Sequence, residues 1–312
     1  MDISIIIPTH NRLWSLPKAI ASCRNTCCQT EIIVVDDGST DDTWEWLQEQ
    51  PNLVTMRQEK WGKPWAVNKA FSVAQGKYIK FLDSDDWLIT NTLDDEFTIA
   101  ENSNCDIVVA GYDIYDNERY SHTQTWIACD DFIAQQLGEC DSSHYSAFLF
   151  RKSFVNDIPH RTSFASADFA SRDDRCFMLE VALKEPRCEV YQQAAFCHRH
   201  HTKDRLQFKS KLKGIATNLQ HWLIYKNVLR QLKESDRLTP RRIDAAIKIL
   251  WPLAHWTAKD SIADAKEIAD WIYSNKPTFT PPEKGLMGRL YRTLGFVSTE
   301  NILRFRRNFK FW

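Results

Sequence analysis

The stretch Tyr78-Ile79-Lys80-Phe81-Leu82-Asp83-Ser84-Asp85-Asp86-Trp87 decides how the chain is read. Its apolar start has strand character and delivers three carboxylates, almost consecutive, to the point where a strand should end. Carboxylates at that density repel one another, so folding alone gives no reason to collect them. A hard divalent cation does: oxygen donors suit Mg2+ or Mn2+, and Mg2+ is commonly held by one or two carboxylates plus substrate phosphates. An acidic turn is the plainer alternative, since Asp and Ser are ordinary turn residues.

The residues leading into that stretch alternate strand and helix patterns. Ile3-Ser4-Ile5-Ile6-Ile7 is a β-branched run stopped by Pro8 and reads as a buried parallel strand. Ser15 is placed to cap a helix with Pro17 in its first turn, burying Leu16, Ile20 and Cys23 or Cys27. Glu31-Ile32-Ile33-Val34-Val35 predicts a second strand ending at Asp36-Asp37-Gly38. Ser39, with Asp42 three residues on, forms a capping-box-like start for the next helix. Leu53-Val54-Thr55-Met56 and Asp106-Ile107-Val108-Val109-Ala110 add strands on either side of a helix from Pro64 to Ala74. Strands alternating with helices predict an α/β fold with a mostly parallel sheet covered on both faces. Such sheets bind ligands beyond the carboxyl ends of their strands. Asp36, Asp37 and the group from Asp83 to Asp86 fall at those ends, so one shared site is expected.

The chain has 312 residues, 43% hydrophobic and 26% charged, an ordinary soluble composition with room for one large domain and an appendage. A net charge of -1 gives no global field for nucleic acid. Nine cysteines without paired spacing read as reduced thiols rather than a disulfide framework or zinc site. Met1-Asp2 leads directly into a strand-like run, so no signal peptide is expected. No stretch approaches the roughly eighteen apolar residues of a spanning helix, and a cytoplasmic location follows.

Between the two acidic sites lies Lys60-Trp61-Gly62-Lys63-Pro64-Trp65-Ala66-Val67-Asn68. Gly62 permits close approach of backbone to ligand, and Lys63 at a helix start suits a phosphate. Asp37 faces the expected cleft, where a carboxylate accepts hydrogen bonds from a base or ribose. The opening Ile5-Ile6-Ile7-Pro8-Thr9-His10-Asn11-Arg12 resembles that of the family 2 glycosyltransferases with the GT-A fold. So do Val35-Asp36-Asp37-Gly38-Ser39-Thr40-Asp41, the loop around Gly62, and Phe81-Leu82-Asp83-Ser84-Asp85-Asp86, in matching order and spacing. The resemblance implies a nucleoside-diphosphate-sugar donor, with uridine the default base, and transfer with inversion at the anomeric carbon. It implies donor contacts at Pro8, Thr9, Asn11, Arg12, Asp37, Gly62, Lys63, Asn68, Asp83, Ser84 and Arg199. Within that set Thr9 and Asp37 would hold the nucleoside and Asp83 the ribose. Asp85, with Asp86 and His201, would hold Mn2+ or Mg2+.

An inverting displacement also needs a base, and Arg172-Asp173-Asp174-Arg175 supplies carboxylates where a helix opens. The family pair is commonly Glu-Asp with the second member as base, so the role passes to Asp174 and Asp173 stays in reserve. The group His198-Arg199-His200-His201-Thr202 contains Arg199-x-His201, similar to the family's Arg-x-His pattern, suited to a diphosphate or a metal shell.

Beyond residue 205 the pattern becomes helical. Thr239-Pro240 marks one start, Trp251-Pro252 should kink or end that helix, and another runs from Ser261 to Tyr273. The expected organisation is therefore 1–204 as the donor-binding and catalytic domain and 205–312 as a helical appendage. Its last part, Leu286 to Trp312, mixes arginines with Leu290, Tyr291, Phe305, Phe309, Phe311 and Trp312, suiting either an anionic membrane surface or packing on the domain. The expected function is metal-dependent sugar transfer to a glycan or lipid-linked acceptor in cell-surface polysaccharide or lipopolysaccharide synthesis, at the inner face of the plasma membrane. A sugar nucleotidyltransferase is the rival enzyme, although Pro8-Thr9-His10-Asn11-Arg12 lacks the glycines such a loop wants. An inactive sugar-nucleotide-binding relative is the rival outside enzymology.

Overall fold

Strand β1 (Ile3–Thr9) is buried at every position, which requires cover on both faces of the sheet. It runs past the expected stop, with Pro8 paired in register to Val35 of β2 (Thr30–Asp37). Pairing with β4 (Tyr78–Phe81) on the other side ends at Ile6, so Pro8 sits where one side of the strand is open. Proline is tolerated at such a position because no ladder bond needs its missing N–H. The structure, a computed structural model, describes residues 1–161, 172–201 and 211–308.

Helix α1 (Leu16–Ser22) leads into β2, α2 (Thr43–Gln48) into β3 (Val54–Gln58), and α3 (Lys63–Val73) into β4. Strands β3, β2, β1 and β4 are parallel neighbours in that order. After β5 (Trp87–Leu88) and α4 (Thr92–Ser103), the hairpin β6 (Ile107–Asp116) and β7 (Arg119–Gln124) follows. Then come α5 (Phe132–Leu137), a 3-10 turn at Tyr145–Ala147, β8 (Phe148–Arg151) and α6 (Lys152–Val155). Helix α7 (Asp173–Leu183) precedes the long β9 (Cys188–His200). Strand β8 joins β4 antiparallel and β6 joins β8 antiparallel, while β9 lies parallel to β6 and antiparallel to β5. The parallel order thus holds over the first four strands, and the sheet is mixed beyond them.

Two capping expectations give way to other bonds, one tertiary and one within the turn. Ser15 precedes α1 but does not cap it; its hydroxyl donates to the Ser84 carbonyl at 2.8 Å. Ser39 lies four residues ahead of α2 and bonds Asp36 instead. In α1, Leu16, Ile20 and Cys23 are buried and Cys27 is exposed. All nine cysteines are free.

The described residues divide into two compact units. One comprises Met1–Phe132 with the described parts of Asp141–Thr162 and Asp173–Asp204; the other comprises Ile133–Cys140 and the described part of Arg205–Trp312. In the second unit α8 (Lys211–Glu234), α9 (Pro240–Ala258), α10 (Ile262–Asn275) and α11 (Gly285–Asn308) bury Trp222, Tyr225, Leu250, Leu253, Ile268 and Ile272. Thr239 and Ser261 accept the Arg242 and Asp264 amides as side-chain caps. Helix α9 continues through Pro252 rather than ending there. Helix α11 is broken at Gly295, whose φ is 76°. Its Tyr291 and Phe296 are buried around Trp251, while Leu286, Leu294, Ile302 and Phe305 are exposed. Phe309, Lys310, Phe311 and Trp312 of the tail, and Thr202 of the basic cluster, lie outside the described residues. Among the described residues no helix is long and apolar enough to cross a membrane.

One charged pair sits inside the first unit. Lys80 of β4 lies 2.8 Å from both carboxylate oxygens of Glu96 on α4, and neither side chain is exposed at all. Removing one partner leaves the other charge buried, at a cost of about 3–5 kcal/mol, whereas apolar replacement of both is near neutral. Denaturant unfolding should therefore show Glu96→Gln strongly destabilised and Lys80→Met/Glu96→Leu close to the parent. A single variant within about 1 kcal/mol of the parent would contradict this account of the pair.

Candidate active site

The site grows from the carboxyl ends of β2, β1 and β4. Strand spacing near 4.8 Å sets the ends of β2 and β4 roughly 10 Å apart across β1. Asp36 and Asp37 end β2 and, by alternation, face opposite sides. Asp36 is fully buried and takes the Ser39 amide, the Ser39 hydroxyl and Arg57 Nε, the last at 3.2 Å. Asp37 Oδ1 accepts Gln58 Nε2 at 2.7 Å, the Trp61 amide at 3.0 Å and the Gly62 amide at 3.1 Å. The loop after β3 is thereby wrapped onto Asp37, and Oδ2 takes only the Gly62 amide among the described residues. This approach needs glycine at position 38: its φ is +69°, and a Cβ there would lie 2.9 Å from the Lys60 nitrogen. Thr9 Oγ1, at the end of β1, and Gln58 Oε1, on the side chain that bonds Asp37, are buried without hydrogen-bond partners among the described residues.

Several expected donor contacts are used inside the fold. Asn11 Oδ1 accepts the Thr40 amide at 2.8 Å and its own amide donates to Ser39 Oγ, so it fastens the β1–α1 loop to the turn after β2. Asn68 clamps the His160 backbone, donating to its carbonyl at 2.7 Å and accepting its amide at 2.8 Å. The Ser84 carbonyl receives the Ser15 hydroxyl, and Pro8 lies within β1.

Beyond β4 the three carboxylates take three different partners. Lys63 Nζ bonds Asp83 at 2.6 Å. Burial alone would raise the Asp83 carboxyl, but the Lys63 charge holds it down, at about 2. Asp85 Oδ2 lies 2.9 Å from His201 Nε2 and 3.6 Å from Arg12 Nε. Asp86 is buried, accepting the Arg199 amide at 2.9 Å on one oxygen and facing His198 Nδ1 at 3.1 Å with the other. Burial pushes its carboxyl up to about 6. Burial pulls the His198 imidazole down, yet the Asp86 bond leaves it raised.

Arg199, near the end of β9, and His201, one residue beyond it, both meet the Trp14 ring. Arg199 is stacked near two indoles, 5.3 Å from the Trp14 centroid and 4.8 Å from that of Trp87, and pairs with Glu118 at 3.3 Å. Lys18 Nζ lies 3.3 Å over Trp87 and 3.0 Å from Glu118. Lys18 joins Trp87 and Glu118 directly, and the course of β9, which the pattern at 188–200 did not disclose, brings Arg199 against them and Trp14.

Two donor sets fit a divalent cation. Asp85 offers a carboxylate oxygen, the donor that suits Mn2+ or Mg2+, with the His201 imidazole nitrogen beside it as a further transition-metal donor; the Arg12 guanidinium shares the same carboxylate. Ligand atoms of Asp86, His144 and His198 lie within 4.8 Å of one another. There His144 Nδ1 already accepts the Ser146 amide, and burial followed by the His198 charge holds the His144 imidazole down to about 3.

Helix α7 opens on Asp173 and Asp174, as expected. Asp173 is 6% exposed and its Oδ2 has no hydrogen-bond partner among the described residues. Burial pushes its carboxyl up to about 7, the Lys63 charge opposing and Asp174 adding. Asp174 is half-buried, with Oδ1 accepting the Arg175 amide at 2.7 Å. Burial works against the Lys63 charge, but Asp83, then Asp173 and Asp174, keep it raised.

A carboxyl raised in the folded state binds its proton more tightly there than in the unfolded chain. The stability it contributes is complete below the unfolded value near 3.9 and is lost as pH rises through about 7. Asp173→Asn should therefore gain stability over the parent at pH 8 and show no gain at pH 4, read by urea unfolding. Equal differences at the two pH values would contradict the assignment.

With this geometry in hand, similarity to known proteins can be weighed. A family model, glycosyl transferase family 2, matches residues 4–173. Among curated proteins, the UDP-Glc:alpha-D-GlcNAc-diphosphoundecaprenol beta-1,3-glucosyltransferase WfgD of Escherichia coli is 32% identical over 120 residues, which are 37% of this chain and 47% of that protein. The chain spans about half the length of the curated relatives it matches. Residues 1–349 of Staphylococcus aureus TarS in complex with UDP-GlcNAc superpose with a TM-score of 0.57 at 15% identity, covering 99% of this chain and 92% of that one. The mannosyltransferase PcManGT from Pyrobaculum calidifontis, in complex with GDP-Man and Mn2+, gives 0.56 at 14% identity, covering 97% and 86%. At such identities these structures show the fold, and the expected GT-A-type α/β architecture with its helical C-terminal region is borne out. The family match covers more than half of the sequence, and the chain belongs to glycosyl transferase family 2.

Proposed function

We propose that the chain transfers a sugar from a nucleoside-diphosphate donor, UDP being the default, to a hydroxyl of a glycan or lipid-linked acceptor, with inversion. Cell-surface polysaccharide or lipopolysaccharide synthesis is the proposed setting, with residues 1–204 carrying the chemistry. The observation behind this reading is Lys63, bonded to Asp83 and lying in the field of Asp173 and Asp174. One ammonium thus links the carboxylates beyond β4 to the acidic pair far along the chain. The donors named for TarS and PcManGT, and the diphosphoundecaprenol acceptor in the name of WfgD, support the same substrate classes.

In the proposed reaction the acceptor oxygen bonds to the anomeric carbon as that carbon's bond to the diphosphate breaks. The electron pair leaves on the diphosphate, and the acceptor proton passes to Asp174. Asp174 suits this role because it is half-buried and open on one side, whereas Asp173 is buried. Thr9 and Asp37 Oδ2 are assigned to the nucleoside and Asp83 to the ribose. Lys63, Arg12 and Arg199 offset charge growing on the leaving group. Mn2+ or Mg2+ held by Asp85 and His201, with Asp86 as a further candidate ligand, would supply Lewis-acid stabilisation of the diphosphate.

Helix α11 is assigned to the anionic inner face of the plasma membrane. Leu286, Leu294, Ile302 and Phe305 are 71%, 47%, 47% and 65% exposed. Arg289, Arg292 and Arg306 are exposed as well, and the helix's one acidic residue, Glu300, is buried against His255 and Tyr291.

Asp174→Asn should lower transfer about 10²–10⁴-fold while donor affinity, measured by calorimetry, stays near the parent value. Loss of donor binding would instead assign Asp174 a structural role. For the membrane, each arginine near an anionic surface contributes about 1 kcal/mol, so Arg304→Gln/Arg306→Gln should weaken binding to phosphatidylglycerol vesicles roughly 30-fold. Unchanged sedimentation with those vesicles, or no binding by the parent, would remove the assignment.

A further inference from the structure

His201 is an unusually placed imidazole. Its Nε2 faces Asp85, its side chain is 2% exposed, and its Nδ1 is buried with no hydrogen-bond partner among the described residues. Metal-binding histidines almost always have the second nitrogen held by a carboxylate, a carbonyl or water, which fixes the ring's orientation. His201 lacks that hold. Trp14 lies against its ring instead, centroids 4.9 Å apart and planes at 72°, an edge-on contact. The same indole carries the Arg199 guanidinium 5.3 Å from its centroid, so it meets both members of Arg199-x-His201.

Trp14 itself is held from both sides. The amides of Arg12 and Leu13 donate to Thr43 Oγ1 at 3.2 and 3.1 Å. On the other side the Ser15 hydroxyl donates to the Ser84 carbonyl, inside the acidic segment that contains Asp85. The β1–α1 loop is thus braced against α2 and against the metal-binding stretch, with the indole between the two anchors.

We infer that Trp14 is a positioning residue that fixes the His201 imidazole for a divalent cation shared with Asp85. This rests on the proposed cation site and goes beyond it, because an aromatic wall takes the place of the usual second hydrogen bond. Trp14 touches neither cation nor sugar; it acts through His201. Replacing it loosens a ring whose one hydrogen bond, through Nε2 to Asp85, leaves its far side held by packing, so the ion loses affinity without losing a ligand.

The test titrates Mn2+ into the full chain with UDP present, counting bound ion from loss of the free-ion EPR signal. Trp14→Leu, which keeps apolar bulk without a ring, should raise the Mn2+ Kd about 10- to 100-fold at an unchanged number of sites. Trp14→Phe, which restores an aromatic edge, should recover most of that loss. A Trp14→Leu protein binding Mn2+ like the parent overturns the inference, as does a reduced site count at unchanged Kd, which signals partial unfolding only. Asp85→Ala separates the two levels: if it keeps parental Mn2+ affinity, the cation site fails and the role of Trp14 with it. If it loses affinity while Trp14→Leu does not, the inference about Trp14 alone is overturned.

Discussion

Like charges do not gather at the end of a strand unless something positive holds them there. Here Asp83 has Lys63, Asp85 has Arg12 and His201, and Asp86 has His198 and a backbone amide. Each carboxylate of the motif is thereby given a different partner, although the three lie within four residues. Asp83 is driven towards the charged form by an ammonium and Asp86 towards the neutral form by burial. The same Lys63 charge opposes the rise at Asp173, so the acidic helix start and the acidic strand end are electrostatically one system.

Around that system the loops are rigid for reasons outside the chemistry. Asp36 looks like half of a functional Asp-Asp pair, yet it is an internal brace for the turn that carries Asp37. Asn11 ties that turn to the β1–α1 loop, and Ser15 ties the β1–α1 loop to Ser84. Polar residues near a site therefore divide into those that face a ligand and those that hold the first group still. Catalysis by electrostatic stabilisation depends on such preorganisation, since groups already in place need not reorganise during the reaction.

The sequence disclosed what local pattern can carry. Strands β1 and β2 were legible from β-branched or aliphatic runs and β4 from an apolar one, and the acidic residues at their ends from position alone. Helix α7 was legible from an acidic first turn followed by apolar spacing. What escaped was set by tertiary contact. Ser15 and Ser39 looked like caps because capping is the local use of serine, but carbonyl and carboxylate partners distant in sequence or outside the helix took their hydroxyls. Strand β9 runs to thirteen residues with polar and apolar positions that do not alternate cleanly, since it is buried toward its end and exposed in its middle. Missing it hid the meeting of Arg199 and His201 with Trp14, and of His198 with Asp86 and His144. Of the two outcomes expected at Pro252, a kink or an end, the end does not occur: α9 continues through it to Ala258.

The claim on which the account stands is that the strand ends bind a nucleoside diphosphate together with a divalent cation. Thermal unfolding of the full chain against a panel of nucleotide sugars, each with Mn2+ and again with excess chelator, measures this directly. Ligand at about a hundred times its Kd stabilises the folded state by about 2.7 kcal/mol. The account predicts a rise in Tm with at least one nucleotide sugar that appears with Mn2+ and is lost on chelation. A Tm that no nucleotide sugar moves, or one that moves equally without the cation, would contradict it.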